Sequence, residues 1–193
     1  MITKDQSHDR WKLANHNAYA TDHWDWTFYI CKLFHDLAIP RTSEILELGC
    51  NVGRNLEGLR QCHYEYLSGV DINPNTISHR ERHFPLLFGR FYYSPLEEFD
   101  PGNKKWDVIY TSAHFEHIHP DSAYVFERIP DWLNPNGYII TNEDEHNHEG
   151  LDFVFARSYE NIFPGLKQIH YEEPPASSGY KRGYVTRVHQ KPC

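Results

Sequence analysis

The order of apolar and polar positions divides the chain into short apolar runs and longer segments with helical spacing. Five short runs predict buried strands, because a strand that is covered on both faces reads as nearly continuous hydrophobic sequence. They lie at residues 44–47, 66–71, 91–93, 106–111 and 138–141. Farther along, residues 166–173 and 184–190 alternate apolar and polar side chains, as two antiparallel strands do. The pattern predicts an α/β protein that ends in a strand pair.

Helical spacing is clearest in two segments that flank these runs. Residues 151–163 predict a helix after the fifth strand, and residues 22–37 predict one before the first strand. The earlier helix has two apolar stripes, Trp26, Ile30, Leu33 and Leu37 on one and Trp24, Phe28 and Cys31 on the other. A helix that is apolar on two sides has two surfaces to cover. We therefore expect it to pack both on the sheet and on a preceding N-terminal helix.

The first apolar run ends in a turn with two glycines. Residues 44–55 read EILELGCNVGRN, in which Glu47 stands just ahead of Gly49 and Gly53. A turn poor in side chains lets backbone amides approach a ligand closely, where a Cβ atom would block them. A dinucleotide site would have a third glycine and a phosphate-binding loop would continue with Gly-Lys-Ser/Thr, and neither is present. Because a carboxylate repels phosphate, Glu47 indicates a cationic ligand.

A second acid follows on the next predicted strand. The run at residues 66–71 ends in Asp71, about twenty residues after the glycine turn. Nucleoside-binding α/β folds place an acid there, where it accepts hydrogen bonds from the ribose hydroxyls.

These features, together with the phrase WDVIY…FEHI…WLNPNGYIIT, resemble the class I S-adenosylmethionine-dependent methyltransferases. The resemblance covers residues 45–142 and implies a Rossmann-like sheet of seven strands. That sheet is mostly parallel, has an antiparallel C-terminal strand and carries helices on both faces. A single methyltransferase domain is implied over residues 1–193, with a helical cap at 1–42 and a Rossmann-like core at 43–193. The alternative is an unrelated doubly wound α/β protein, because such folds share this general pattern.

The resemblance also implies a site for the methyl donor, S-adenosylmethionine. The donor is expected across the glycine turn, with its ribose on Asp71 and its adenine near Ile72 and Leu96. The N-terminal cap is expected to close over it, with Tyr19 touching the cofactor. Ser94 stands where the family often has Asp or Asn. The cofactor-binding residues implied are Glu47, Gly49, Cys50, Asn51, Gly53, Asp71, Ile72, Ser94, Pro95, Leu96, Thr111 and Tyr19.

The loop after the fourth strand is expected to carry the chemistry. Methyl transfer is a direct displacement, so the protein mainly positions the two partners, and a group that titrates near neutrality helps when the acceptor must lose a proton. The resemblance implies His117 as the general base, Glu116 as the group that orients it or binds the acceptor, and His114 as a substitute base. The alternative is that this Glu-His pair only caps the next helix or hydrogen-bonds within the loop.

A second group of acids and histidines follows the fifth strand, at residues 144–149. If the two groups converged, His119, His146 and His148 would be candidate ligands for a divalent metal that lowers the pKa of an acceptor hydroxyl. A His-x-His in an acidic, solvated loop is more often simply surface. A metal is thus an alternative that we do not favour.

Composition narrows the class of partner. The formal net charge of −8 disfavours a nucleic acid as partner, because binding to its phosphates needs clustered Lys and Arg. We expect no membrane span and no signal peptide, since no suitable apolar stretch is present. The four cysteines show neither metal nor disulfide spacing, so we expect reduced thiols and a cytoplasmic protein.

The sequence therefore predicts a methyltransferase that acts on a small polar molecule, preferably at oxygen. Two other functions stay open. Methylation of a protein side chain would need an open groove, whereas a non-catalytic scaffold with this fold would have a damaged cofactor pocket. The acceptor, the methylated atom and the oligomeric state are not predicted.

Overall fold

A computed structural model of the chain describes residues 2–14, 17–146, 151–179 and 183–193. The strands are β1 Glu44–Leu48, β2 Tyr66–Asp71, β3 Arg90–Tyr93, β4 Trp106–Ser112, β5 Leu133–Asp144, β6 Lys167–Glu172 and β7 Tyr184–Gln190. They form one sheet in the order β3-β2-β1-β4-β5-β7-β6. Strands β1 to β5 are parallel, and β7 runs antiparallel to both β5 and β6. The predicted fold class is confirmed.

Helices precede the sheet and connect its strands. They are α1 Lys4–Lys12, α2 Asn17–Thr21, α3 Trp24–Asp36, α4 Arg54–Gln61, α5 Thr76–His83 and α6 Val125–Arg128. The helix predicted at residues 22–37 is α3. Within the described ranges, none of these helices combines the length and the apolar character that crossing a membrane requires.

The sheet has a hydrophobic core on each face, because successive side chains of a strand point to opposite sides. Ile45 of β1 packs with Ile30 and Phe34 of α3 in one core. Its neighbour Leu46 belongs to the other core, together with Trp106 and the loop residue Phe115. This double coverage explains why the parallel strands read as apolar runs.

The chain order reverses direction on either side of β1. From β1 the sheet grows outward through β2 to β3, and then restarts with β4 on the opposite side of β1. In open α/β sheets, ligands bind at such a switch point, outside the carboxyl ends of the strands. In the register of the sheet, Glu47 pairs with Gly69 of β2 and with Tyr110 of β4. The first predicted acid therefore lies at the reversal.

The helix predicted at residues 151–163 is wrong. Residues 151–163 form turns and irregular structure instead, although Phe155, Tyr159 and Phe163 are buried. The Phe155 amide donates to the Glu116 carbonyl at 2.7 Å, and the Arg157 guanidinium donates to the Ile118 carbonyl. Hydrogen bonds to the loop after β4 thus replace those of a helix, while the apolar residues still reach the core.

Gly58 allows α3 and α4 to pack closely, and its substitution tests this packing. An added Cβ would overlap the Cγ2 methyl of Thr27. Gly→Ala in a helix normally gains about 1 kcal/mol, but here we expect Gly58→Ala to lower the free energy of unfolding by about 1–3 kcal/mol through overpacking. Urea denaturation measures the change.

The matched variant is Thr27→Ser/Gly58→Ala. Serine removes the Cγ2 methyl but keeps the hydroxyl, which donates to Asn55 at 2.8 Å and accepts from the Arg54 Nε at 3.0 Å. The double variant should regain most of the lost stability. A stable Gly58→Ala single variant would contradict the close packing.

Candidate active site

A partly open cavity of about 450 Å³ lies at the carboxyl ends of β1, β2, β3 and β4. The glycine turn forms its floor, the loop after β4 forms one wall, and the N-terminal helices cover it. Most of the residues singled out in the sequence line it, namely Tyr19, Glu47, Gly49, Cys50, Asn51, Asp71, Ile72, Ser94, Pro95, Leu96, His114, Glu116 and His117.

Two of the expected cofactor contacts lie elsewhere. Thr111 is fully buried and donates from its hydroxyl to Glu143 at 2.7 Å, while the next residue, Ser112, lines the cavity. Gly53 is not a lining residue, and it begins α4 with a positive φ of 84°. Both positions have a simple reason: alternation along β4 turns Thr111 inward, and Gly53 serves the backbone geometry of the turn.

The glycine turn is shaped for close contact. Gly49 has a φ of 71°, and an added Cβ would overlap the ring of His114. Asn51 also adopts a positive φ, of 50°, which Asn tolerates better than most residues. The turn therefore presents backbone rather than side chains to the cavity and brings the loop after β4 directly over β1.

Asp71 fixes this turn to the end of β2. Its Oδ2 accepts a hydrogen bond from the Asn51 amide at 2.8 Å, and its Oδ1 accepts one from the Asn73 amide at 2.9 Å. Each carboxylate oxygen has a second lone-pair direction. Asp71 is partly exposed to the cavity, so it retains acceptor capacity for a diol.

Glu47 is a buried acid at the inner end of the cavity. Its side chain is 2% exposed, and its Oε1 accepts a hydrogen bond from the Asn55 amide nitrogen at 2.8 Å. Burial raises the pKa of Glu47 to about 8, because a charged carboxylate loses its hydration there. A bound cation would favour the ionised form of this side chain.

His117 is held in one tautomer. Its Nδ1 lies 3.1 Å from the Phe153 carbonyl, which can only accept, so Nδ1 carries the hydrogen. Burial lowers the pKa of His117 to about 4, so the ring is neutral near pH 7. Its Nε2, the nitrogen that can take a proton, lies 3.5 Å from Oε1 of Glu116.

Glu116 is fixed from two further directions. Its Oε1 accepts from the Tyr184 hydroxyl at 3.1 Å, and its Oε2 accepts from the Asp144 amide at 2.8 Å. Glu143 lies beneath it and accepts from the backbone amides of His114 at 2.9 Å and of Glu116 at 3.3 Å. Burial, and then the nearby charge of Glu116, raise the pKa of Glu143 to about 8. Glu143, which the sequence analysis did not single out, thus braces the loop after β4.

His114 takes its position from a strained residue. Ala113 has a φ of 53°, a conformation that costs a residue with a Cβ energy. The turn at Ala113 directs the His114 ring against Gly49. Burial lowers the pKa of His114. Both histidines named as bases therefore lie at the cavity wall and are partly exposed.

The N-terminal cap contributes residues that the sequence analysis did not assign to the site. Ser7, His8 and Trp11 of α1, His23, and Trp26 of α3 line the cavity. His8 lies 3.0 Å from Glu97. Although burial opposes ionisation, the hydrogen bond to His8 helps to hold the pKa of Glu97 at about 2. In the sequence, the only feature that could have indicated these lining residues was the high density of aromatic residues before β1.

The candidate metal ligands do not converge in the described residues. His119 uses both ring nitrogens, with Nε2 at 3.2 Å from the Ile2 carbonyl and Nδ1 accepting from the Asp121 amide. His146 is exposed and lies 3.2 Å from the Gly183 carbonyl, and His148 falls outside the described residues. Glu145, from the same acidic group, pairs with Arg187 at 2.7 Å. In the described part of the chain, no three His, Cys, Asp or Glu side chains are grouped to hold a metal.

Comparison with known families identifies the class. Residues 23–173 match the methyltransferase domain family, and since this is well over half of the chain, the protein belongs to that family. The resemblance to S-adenosylmethionine-dependent methyltransferases is confirmed. Helices α1 and α2 precede the matched range. A sequence search of curated proteins gave no significant match.

Solved structures support the same fold. The N-methyltransferase NodS from Bradyrhizobium japonicum WM9, bound to S-adenosylhomocysteine, has a TM-score of 0.74 and 15% identity over 100% of both chains. The 1,6-didemethyltoxoflavin-N1-methyltransferase of Burkholderia thailandensis has a TM-score of 0.74 and 17% identity, covering 100% of this chain and 92% of that chain. Phosphoethanolamine N-methyltransferase 1 of Haemonchus contortus has a TM-score of 0.74 and 12% identity, covering 100% and 50%. At these identities the similarity shows a common fold.

The buried Glu47 predicts how stability changes with pH. In the unfolded chain its carboxyl loses a proton near 4.5, but in the fold it keeps the proton to about 8. The folded state binds more protons between these values, so this group lowers the free energy of unfolding as pH rises. Glu47→Gln should flatten that decline and raise stability at the alkaline end by about 1–3 kcal/mol.

Urea denaturation at several pH values measures the effect. Glutamine keeps the acceptor for Asn55, so packing is little changed. Glu65→Gln, on an exposed side chain, is the control and should leave the slope as in the wild type. Equal slopes for the Glu47 and Glu65 variants would show that Glu47 is ionised in the fold.

Proposed function

We propose that this protein transfers the methyl group of S-adenosylmethionine to an oxygen atom of a small polar molecule, with His117 and Glu116 assisting proton removal. One observation carries the proposal. One cavity joins the glycine turn and Asp71 to the 114–119 loop, and acids from both regions are among the residues that line it.

The donor's nucleoside matches the inner half of this cavity. Asp71 has acceptor capacity for the two ribose hydroxyls, and the apolar side chains of Ile72, Pro95 and Leu96 suit an adenine ring. Gly49 and Asn51 leave the backbone accessible to the donor's amino-acid part, with Cys50 packed in the turn. Tyr19 covers the site from α2. The donor's methyl would then face the loop after β4.

The charge of the cavity suits this donor, which carries an ammonium and a sulfonium but no phosphate. Glu47, Asp71, Glu97 and Glu116 line the cavity. The lining arginine, Arg54, donates to the Asp22 carbonyl at 2.9 Å and to the Thr27 hydroxyl at 3.0 Å. Its charge is therefore used to attach α4 to the cap. The acidic lining would repel a phosphate-bearing cofactor.

A second cavity adjoins the first and offers room for the acceptor. The two share a wall of Trp11, Tyr19, Trp26, Glu116, His117 and Tyr184. Methyl transfer would occur at this shared wall, where the donor's methyl and the acceptor meet. The N-terminal helices cover part of the junction, and a cavity of about 670 Å³ suits a small molecule as acceptor.

His117 has the geometry of a proton acceptor. The ring is neutral, its Nδ1–H is held by the Phe153 carbonyl, and its Nε2 is open to a proton. When Nε2 takes the acceptor's proton, the charge formed on the ring lies 3.5 Å from Glu116. The attacking oxygen then displaces the sulfur in line, and the protein's main contribution is positioning.

Methylation at nitrogen is a second candidate, because the shared wall also suits an amine. Trp11, Trp26 and Tyr184 offer aromatic rings and Glu116 a carboxylate, a combination that attracts ammonium groups. Three of the similar structures are named as N-methyltransferases. Carbon-13 NMR of the product of a labelled donor distinguishes an O-methyl from an N-methyl carbon.

If the protein were a non-catalytic scaffold, its cofactor pocket would be damaged. Glu47, Gly49 and Asp71 are present and line one cavity, which supports a working enzyme. Binding of the donor and its product by calorimetry tests this directly, with and without chelator and added divalent metal. Absence of binding under all conditions would overturn the proposed function.

Two variants separate donor binding from chemistry. Asp71→Ala should weaken binding of S-adenosylhomocysteine about 10- to 100-fold, because hydrogen bonds to a charged group are lost. His117→Ala should leave that affinity within about twofold and lower turnover about 100-fold, the usual contribution of a general base. Calorimetry and a product-formation assay measure the two effects.

Asp71→Asn is the control for the shape of the turn, since it retains one acceptor oxygen and should fall between wild type and Asp71→Ala. Circular dichroism must show that all variants are folded. Unchanged affinity in Asp71→Ala would move the ribose elsewhere. Unchanged turnover in His117→Ala would remove His117 as the base.

Donor binding should release protons below about pH 8, because a cation near Glu47 favours its ionised form. Calorimetry near neutral pH in two buffers of different ionisation enthalpy measures the number released. We expect a substantial fraction of one proton for the wild type and none from Glu47→Gln. Equal release by both proteins would place the donor's cations away from Glu47.

A further inference from the structure

The acceptor cavity has opposite charges at its two ends. Glu116 and Asp144 lie at the inner end, and Arg10, in the last turn of α1, lies at the mouth. A neutral acceptor would use neither end, and a purely cationic acceptor would meet repulsion at Arg10. The arrangement favours a molecule that carries a negative group on the side facing solvent.

Arg10 has no protein acceptor among the residues that the structure describes. Its guanidinium makes neither a hydrogen bond nor an ion pair there, whereas Arg54 and Arg157 donate to backbone carbonyls. Instead, Arg10 lies over the ring of Phe153, with its Cζ 3.7 Å from the ring centroid. The aromatic face orients the guanidinium plane while its N–H donors remain available.

A stack of rings connects this guanidinium to the proposed base. The Phe153 ring is 6.0 Å from the His117 ring, and His117 is 4.3 Å from Trp11. Phe153 also supplies the carbonyl that orients His117. The guanidinium is thus within about 10 Å of the His117 ring along the stack, a distance that a small molecule spans.

We propose that Arg10 binds a carboxylate or phosphate group of the acceptor. The substrate would then be a small acid whose hydroxyl or amino group lies beside His117 when it is methylated. Guanidinium groups bind both anions in a bidentate manner. This inference rests on the proposed function, and it assigns specificity to α1, which precedes the part of the chain that matches the family.

Anion binding tests the inference without knowledge of the acceptor. The protein saturated with S-adenosylhomocysteine is titrated with inorganic phosphate and, separately, with acetate, and tryptophan fluorescence is followed because Trp11 lies beside Arg10. Wild type should show saturable binding of one or both anions, Arg10→Gln should show none, and the two anions distinguish a phosphate from a carboxylate site. Lys12→Gln is the matched control, since it removes the same charge from the same helix outside the cavity.

Acceptor pairs that differ only in an acid group test the consequence for specificity. Phosphoethanolamine with ethanolamine, and tyrosine with tyramine, are compared by competition against the anion titration. In the wild type and in Lys12→Gln, the compound that carries the acid group should displace the anion at a concentration about tenfold lower than its partner compound. This preference should vanish in Arg10→Gln.

The outcomes separate the two proposals. No saturable anion binding in the wild type, or equal binding by Arg10→Gln, overturns the role of Arg10. All three proteins should bind S-adenosylhomocysteine with the same affinity. If none of the three proteins binds S-adenosylhomocysteine, the proposed function itself fails, whatever the anion titration shows.

Discussion

The burial of carboxylates at one edge of the sheet is the constraint on which the site depends. Glu47 and Glu143 are buried so completely that their pKa values rise to about 8. An unpaired buried charge is costly, and the fold compensates with hydrogen bonds from Asn55 to one acid and from the loop after β4 to the other. Because a cationic methyl donor would favour the ionised form of Glu47, the stability of the fold and its affinity for the donor would be linked through this acid.

In the proposed assignment, the donor and acceptor cavities differ in how much the N-terminal helices contribute. The strand ends and the glycine turn, which belong to the part that matches the methyltransferase domain, make up most of the proposed donor cavity. Helices α1 and α2 precede that part, and they supply Arg10 to the second cavity alone and Trp11 and Tyr19 to the wall that both cavities share. Such a division lets the acceptor change while the donor chemistry stays constant. It also explains why family membership identifies the reaction more readily than the substrate.

The contacts that sequence reasoning missed are those between distant segments. The apolar residues at 151–163 are buried as expected, but the helix predicted there is wrong. Hydrogen bonds to Glu116 and Ile118 replace those within the segment. Glu143 reads in the sequence as one more acid of a polar stretch, and only the sheet brings it beneath His114. His119 was a candidate ligand for a metal that we did not favour, and in the fold its ring nitrogens hydrogen-bond with Ile2 and Asp121. Side-chain partners of this kind have no sequence signature.

The sequence by itself determined the strands, the glycine turn and the two acids at its ends, because these follow from local periodicity and from the steric freedom of glycine. It therefore predicted the fold and the residues Glu47, Gly49 and Asp71 that line the cavity. The tertiary structure decided the tautomer and neutrality of His117, which residues of α1 line the cavity, and the position of Arg10 at the mouth. Those properties depend on burial and on contacts across long stretches of chain, which only the folded protein creates.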